Sequence, residues 1–422
     1  MSKHPVVTPF TGYQKFVIAI LAFLQFTIIL DFMIISPMGA MLMPALQISP
    51  AQFGVVVSVY AFAAGTSGLL AAGFADRFDR KNLLLFFYCG FVLGTLLCGI
   101  APTYHFLLMA RMVTGVFGGV MGSIVMAITT DLFGFHMRGR VMGFLGTAFS
   151  ASQILGIPLG LLFSNQWGWH APFLMIVIVS SAVGLVIWLK LKPINAHLAV
   201  KPDKSPFHHL GQTLRTPRYL QAFATTALLS TGGFMLMPFG SAFSVHNLGI
   251  SLERLPIVYL ATGVCSMFTG PIMGRMSDMF GKFKIFLFGS IVTTVMVLIY
   301  TRLGLTPIGW VIAVNAVLFV GISARMISSQ ALMSAIPTPN MRGAFMSVGS
   351  SIQQFSGGLA SMVAGLIVLE NTDGSLSHFD ILGDVVICAT AITLVLMYFI
   401  HKIVPEAGAK ATNPAPVQPV EG

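Results

Sequence analysis

The chain is 422 residues long, 56% hydrophobic and 9% charged, with 23 basic against 13 acidic residues and a mean hydropathy of +0.87. A soluble domain carries roughly 25% charged residues, so a soluble globular enzyme is excluded; at about 35 residues per span with its loop, there is room for about twelve membrane helices and no large extramembrane domain. A net charge of +10 would suit nucleic acid only if the basic residues clustered on a soluble face.

In chain order, the apolar runs predict helices over residues 16–37, 52–75, 83–101, 106–130, 141–163, 171–189, 220–245, 255–276, 285–300, 307–335, 344–369 and 381–400. They must be helices, because a strand in lipid would leave its edge groups unsatisfied. The first run outlasts a signal-peptide core and has no A-x-A-like site after it, so it is expected to remain as a span, ending at Pro37 or running on to Leu46. The expected fold is an all-α membrane protein of twelve transmembrane helices in two six-helix bundles, residues 1–189 and 219–402. A polar, proline-containing linker over 190–218 joins them, and a Pro/Ala-rich tail, 403–422, is expected to be disordered.

With the N-terminus inside, nineteen Lys and Arg fall in the inner segments and only Arg254 and Arg302 lie outside. The positive-inside rule then places both termini in the cytoplasm, and the expected location is the plasma (inner) membrane. Topology thereby accounts for the basic balance, and no nucleic-acid partner is expected. Cys89, Cys98, Cys265 and Cys388 lie in apolar runs with no CxxC or metal-ligand spacing. No HExxH, G-x-x-x-x-G-K-[ST] or G-x-S-x-G string occurs. Hence no metal, cofactor, ATP drive or enzymatic chemistry is expected.

The string AGFADRFDRK at residues 72–81, after the second span, is echoed after the eighth by GRMSDMFGK at residues 274–282, a displacement of 202. Met137-Arg138-Gly139-Arg140, before the fifth span, is echoed before the eleventh by Met341-Arg342-Gly343-Ala344, a displacement of 204. Two echoes at nearly one offset point to a duplicated half. On these residues the chain resembles the major facilitator superfamily over essentially its whole length. Asp76, Arg77, Arg80 and Lys81 stand at the charged positions of a string similar to that family's G-x-L-a-D-r-x-G-r-k signature. The match departs at Ala72 and Asp79, where the family usually has glycine, whereas the second copy keeps Gly274 and Gly281. Arg111-Met112-Val113-Thr114-Gly115 is similar to the R-x-x-x-G signature of proton-coupled members. Gly156-Ile157-Pro158-Leu159-Gly160 resembles the antiporter signature G-x-x-x-G-P-x-x-G, with Ile157 separating the usual Gly-Pro pair, and residues 165–173 resemble the segment after span 5 of twelve-span drug and sugar exporters.

The resemblance implies two bundles that rock about a site near the midplane, lined by spans 1, 4, 7 and 10. It implies a secondary active transporter, in the first place a proton-coupled exporter (antiporter) of small lipophilic or drug-like molecules by alternating access. A proton-coupled symporter, or a sugar or lysolipid transporter of the same superfamily, is the alternative. The expected partners are a small-molecule substrate, protons and the lipid bilayer, with the chain acting as a monomer.

A charge inside a span costs about 2.5–3.5 kcal/mol on insertion scales and needs a partner or a task. Three qualify: Asp31, Arg111 and Arg325. Asp31 lies six residues before Pro37 and Arg111 six after His105, each about 9 Å from its outer end; the depths match if the first span ends near Pro37. An acid that can exchange its proton, beside a guanidinium that cannot, is the minimum for proton coupling. Two other readings stand: a permanent ion pair that pins two helices, or Arg111 donating to carbonyls of span 1 or 5 while Asp31 holds a cationic substrate. Arg325 is expected to snorkel to the cytoplasm or to hold an anionic substrate group. Asp76, Arg77, Arg80, Lys81, Arg138, Asp278 and Arg342 are read as a cytoplasmic latch engaged in one packing only, or as solvated loops, with Asp79 weakening the latch or pairing with Arg80. Gly156, Pro158 and Gly160 allow close approach and a kink in span 5. Gln25, Gln153, Gln353 and Gln354 are polar candidates for the substrate cavity.

Overall fold

The computed structural model describes residues 9–199, 206–338 and 341–404. The first helix, α1 (Gly12–Ile34), begins with a capping box in which Thr11 and Gln14 satisfy each other's backbone N–H. Pro37 interrupts it, and after a short turn α2 (Gly39–Leu46) continues the first span to Leu46. A second capping box, Ser49 with Gln52, and Pro50 in the first turn start α3 (Pro50–Phe74). Asp79 caps α4 (Arg80–Gly99), and Thr103 caps α5 (Tyr104–Leu132). Each such cap contributes about 1 kcal/mol.

The fifth span is α6 (Phe135–Ala151) and α7 (Ile157–Trp167), joined by a π-helical turn over Ser152–Gly156. Then come α8 (Ala171–Lys190) and a short helix in the linker, α9 (Pro206–Arg215). The seventh span starts as α10 (Pro217–Leu236) and reaches Asn247 through a 3-10 turn, α11 (Gly240–Ala242) and a second π turn. The remaining helices are α12 (Leu255–Phe280), α13 (Lys282–Tyr300), α14 (Ile308–Met333), α15 (Arg342–Ile367) and α16 (Phe379–Ile403). A two-residue antiparallel pair, β1 (Leu369–Glu370) with β2 (Leu376–Ser377), ties off the loop before α16; the sequence reading did not include it.

Among the described residues, eleven segments are long and apolar enough to cross a membrane. The remaining span, α15, the eleventh in chain order, carries Ser347, Ser350, Ser351, Gln353, Gln354 and Ser361. It packs along α3, and Ser351 and Ser361 are buried there. Ser58 Oγ on α3 lies 2.6 Å from the carbonyl oxygens of both Gly54 and Gly358, which compete for its one proton. A Cβ at Gly54 would stand 2.6 Å from the Ser361 carbonyl, so the two backbones are in near contact.

Successive spans run in alternate directions. The face where α1 begins and α16 ends is here the terminal face, and the opposite one the far face. Towards the far face one continuous apolar core joins both halves, from Leu30, Ile34 and Phe53 to Phe239, Leu248 and Phe379. Towards the terminal face it divides into one cluster around Phe87, Phe91 and Ile128, another around Phe223, Phe286 and Phe345, and a small third of Met273, Ile285 and Ala324. The halves are therefore closed together at the far face.

The two loop strings differ for a backbone reason. Gly281 sits at φ +96°, a left-handed conformation that suits glycine. Its counterpart Asp79 has φ −55° and uses its carboxylate to accept from the N–H groups of Lys81 and Asn82. The first copy needs no glycine there and gains a helix cap.

Candidate functional site

Asp31 on α1 and Arg111 on α5 meet in the N-terminal half. Arg111 Nη1 lies 2.9 Å from Asp31 Oδ2 and also donates to the Asp31 carbonyl at 3.3 Å. Both side chains are fully enclosed. Thr95 on α4 donates to Asp31 Oδ1 at 3.2 Å, and the guanidinium lies over the Tyr60 ring, 4.5 Å from its centroid. Arg111 Nε and Nη2 are buried without an acceptor. The first span reaches Leu46, yet the pair forms: α2 extends past the pair to pack on α11, so its length does not set the depth of Asp31.

Glycines bring these helices together. A Cβ at Gly115, four residues after Arg111, would lie 2.5 Å from the Tyr60 carbonyl, and one at Gly94 would lie 2.7 Å from Thr114 Oγ1. Against α1 itself, a Cβ at Gly156 would stand 2.6 Å from Leu30 Cδ1, and one at Gly160 2.5 Å from Ile34 Cδ1. Thus Gly115 sets α5 against α3, and Gly156 and Gly160 set the fifth span against the helix that carries Asp31. Pro158 sits in the first turn of α7, next to the π turn. Within that turn Ser152 donates to the Phe26 carbonyl of α1 at 3.1 Å. Its neighbour Gln153 accepts from Ser266 of α12, in the other half, at 3.0 Å.

Gln25 and Gln353 are half-buried and make no hydrogen bond among the described residues. Gln354 lines a cavity of about 60 Å³ between the halves, with Gly68, Gly119, Ser123, Ser347 and Ser351; it has room for a few waters at most. Arg325 on α14 does not reach the terminal face. It is 5% exposed, and its Nη1 approaches Gly232, midway along the seventh span.

The loop charges make these contacts among the described residues. The Asp76 side chain lies outside the described residues. Arg80 donates to Asp131 at the end of α5, at 3.0 Å, and to the Ala75 carbonyl. Asp79, weighed as a partner for Arg80, instead accepts from the Ile194 N–H of the linker at 2.9 Å. Lys81 donates to the Trp188 carbonyl, and Arg138 to the carbonyls of Thr130 and Phe133. Arg77, Asp278 and Arg342 are exposed, with no ion pair among the described residues. Sequence reasoning missed Tyr60, Thr95, Asp131, Ser266 and His197, whose Nδ1 lies 3.5 Å from Asp131. Only Asp131 had a signal, as an acid at the terminal-face end of span 4 near the basic loop.

Two duplicated helical halves closed over buried charges, and spanning a membrane many times, are the architecture of a secondary transporter. The sequence model of the Major Facilitator Superfamily matches residues 21–361 and again residues 222–419, and the chain belongs to that superfamily. It is a multi-pass membrane transporter of small molecules and not an enzyme. An uncharacterized MFS-type transporter, YceJ of Bacillus subtilis, is 24% identical over 92% of this chain and 96% of its own length. A probable sugar efflux transporter of Mannheimia succiniciproducens is 21% identical over 85% of this chain and 88% of that one. Multidrug resistance protein 3 of Bacillus subtilis is 33% identical, over 29% of this chain and 24% of its own. Among solved structures, a bacterial homolog of the human lysosomal transporter Spinster, inward-facing and unoccupied, superposes with a TM-score of 0.70 at 15% identity, covering 94% of this chain and 97% of that one. The nucleoside transporter NupG gives 0.72 at 14%, covering 92% and 99%. These structures share the fold.

Proposed function

We propose that the protein is a proton-coupled exporter of small lipophilic molecules, working by alternating access with Asp31 as the proton carrier and Arg111 as its regulator. The observation that carries this reading is the sealed Asp31–Arg111 pair, in which Arg111 keeps two buried donors without acceptors. Such donors are costly to leave unmade, so the pair is poised to rearrange. Arginine cannot lose its proton, and the acid can.

In this reading residues 1–189 and 219–402 are the moving halves, the linker and both termini are cytoplasmic, and the closed far face is the outer one. The exposure of Asp278 fits a latch that engages only in the opposite packing. The direction of transport is supported by the Gly156 and Gly160 contacts against the helix of Asp31, and by relatives named for efflux and multidrug resistance.

The test is uphill expulsion of a lipophilic probe from proteoliposomes with an imposed pH gradient, with proton release on probe binding in detergent. Asp31→Asn should abolish both while sparing part of the downhill exchange, since the amide imitates the protonated acid. If Asp31→Asn still releases protons like the parent, another group carries the coupling.

A further inference from the structure

Among the described residues, the C-terminal half holds one buried charge with no counter-charge. Arg325 is 5% exposed, its Nε is buried without an acceptor, and none of its nitrogens bonds to a described residue. Its one recorded neighbour of note is the Phe286 ring, 5.9 Å from the guanidinium carbon. The described acids of this half, Glu253, Asp278, Glu370, Asp373, Asp380 and Asp384, are all exposed, and Asp384 is taken by Arg302 at 2.8 Å.

The side chain is also directed away from the terminal face. Helix α14 runs towards the terminal face, and helical side chains lean towards their own N-terminus, which carries the guanidinium towards the membrane centre. Gly232 agrees with that placement: a Cβ there would be 4.0 Å from Arg325 Nη1 and 3.5 Å from Val386. The backbone beneath is fixed, since a Cβ at Gly289 on α13 would stand 2.7 Å from the Gly321 carbonyl and 3.0 Å from the Arg325 nitrogen. A fork of donors is therefore held beside Gly232, midway along the seventh span, with no acceptor among the described residues.

We propose that Arg325 is the anion-recognition point of the substrate site, so that the transported molecule is a lipophilic monoanion, an apolar body bearing one carboxylate. One guanidinium matches one carboxylate through two parallel hydrogen bonds, and no second cation is recorded beside it to favour a dianion. The proposal rests on the reading of the chain as an exporter of small lipophilic molecules and names their class.

The test uses three probes on one skeleton, 1-naphthylacetate, 1-naphthylacetamide and 1-naphthylmethylammonium, titrated into the purified full-length protein by calorimetry. Charge-assisted hydrogen bonds should give the carboxylate roughly ten- to hundredfold tighter binding than the amide. Arg325→Gln should erase that preference by lowering carboxylate affinity more than amide affinity, and an unfolding temperature close to the parent's reports an intact fold. Arg325→Lys should retain a weakened preference and carries the test if the Gln variant does not fold. No carboxylate preference in the parent, including no binding of any probe, or an undiminished preference in Arg325→Gln, overturns the proposal. In proteoliposomes, uphill expulsion of the amide without carboxylate preference would leave the exporter reading standing and remove this site. An Arg325-dependent preference with no uphill movement of any probe would do the reverse.

Discussion

Leu30 occupies the space that Gly156 leaves: a Cβ at Gly156 would stand 2.6 Å from its Cδ1, and Leu30 immediately precedes Asp31. The same π turn holds the Phe26 carbonyl through Ser152 and reaches Ser266 of the other half through Gln153. One irregular turn thus touches both the charged helix and the opposing half. A π turn is a common place for such a role, because it interrupts the regular ladder and re-aims its side chains.

Gly156→Ala should destabilise the protein by about 1–3 kcal/mol, the range for overpacking a filled site, because Leu30 is 1% exposed and has little room to withdraw. Gly146→Ala, where a Cβ meets nothing within 4 Å, should be neutral or gain up to about 1 kcal/mol of helix propensity. Thermal unfolding in detergent compares them. Equal behaviour would show that Leu30 gives way freely.

Removing either member of the buried pair should be unequal in cost. Asp31→Asn leaves a guanidinium that cannot shed its charge, whereas Arg111→Gln leaves an acid that can neutralise itself by protonation. Asp31→Asn should therefore be the more damaging, within the roughly 3–5 kcal/mol of a broken buried pair. The double variant should recover part of that loss. A double-mutant cycle on unfolding temperatures measures it. If Arg111→Gln costs as much, the guanidinium contributes chiefly through the Tyr60 face and the Asp31 carbonyl.

The spans, the duplication and the Asp31–Arg111 pairing were legible in the sequence because each depends on local composition or on depth along a helix. What depends on the path of polar backbone was not. The linker reads as polar and proline-containing, yet Ile194 bonds both the Asp79 carboxylate and the Arg80 N–H, a register that no periodicity reveals. Nor could hydropathy show that Pro37 would break the first span without ending it, since the residues on both sides are equally apolar. Snorkelling was a fair expectation for Arg325 from its distance to the helix end; the lean of the side chain and the glycine opposite send it the other way.

That linker contact has its own consequence. Asp131 holds Arg80 at 3.0 Å and faces His197 of the linker at 3.5 Å, while His197 Nε2 lies 3.2 Å from the Phe78 carbonyl. Asp131→Ala should loosen the linker from the N-terminal half, with a contact of this exposed kind contributing up to about 1 kcal/mol. Limited proteolysis between residues 190 and 218 should then be faster by several-fold, with the global unfolding temperature little changed. An unchanged cleavage rate would assign the anchoring to Asp79 alone.

The far-face closure can be tested by locking it. Ser241 Oγ lies 3.3 Å from the Ala40 nitrogen and 3.3 Å from the Ser36 carbonyl, joining α11 to the start of α2 across the two halves. Thiols placed there by Ala40→Cys with Ser241→Cys are close enough to meet, given that disulfides form at Cα separations of about 4.4–6.8 Å. The native Cys89, Cys98, Cys265 and Cys388 are free thiols, so each single substitution is the control for oxidation elsewhere. Mild oxidant should cross-link the double variant and stop transport, and a reductant should restore it, because alternating access requires this contact to part in every cycle. Transport at the parental rate by fully cross-linked protein would mean that substrate passes without the far face opening here, and the two-packing account of the cycle would fall.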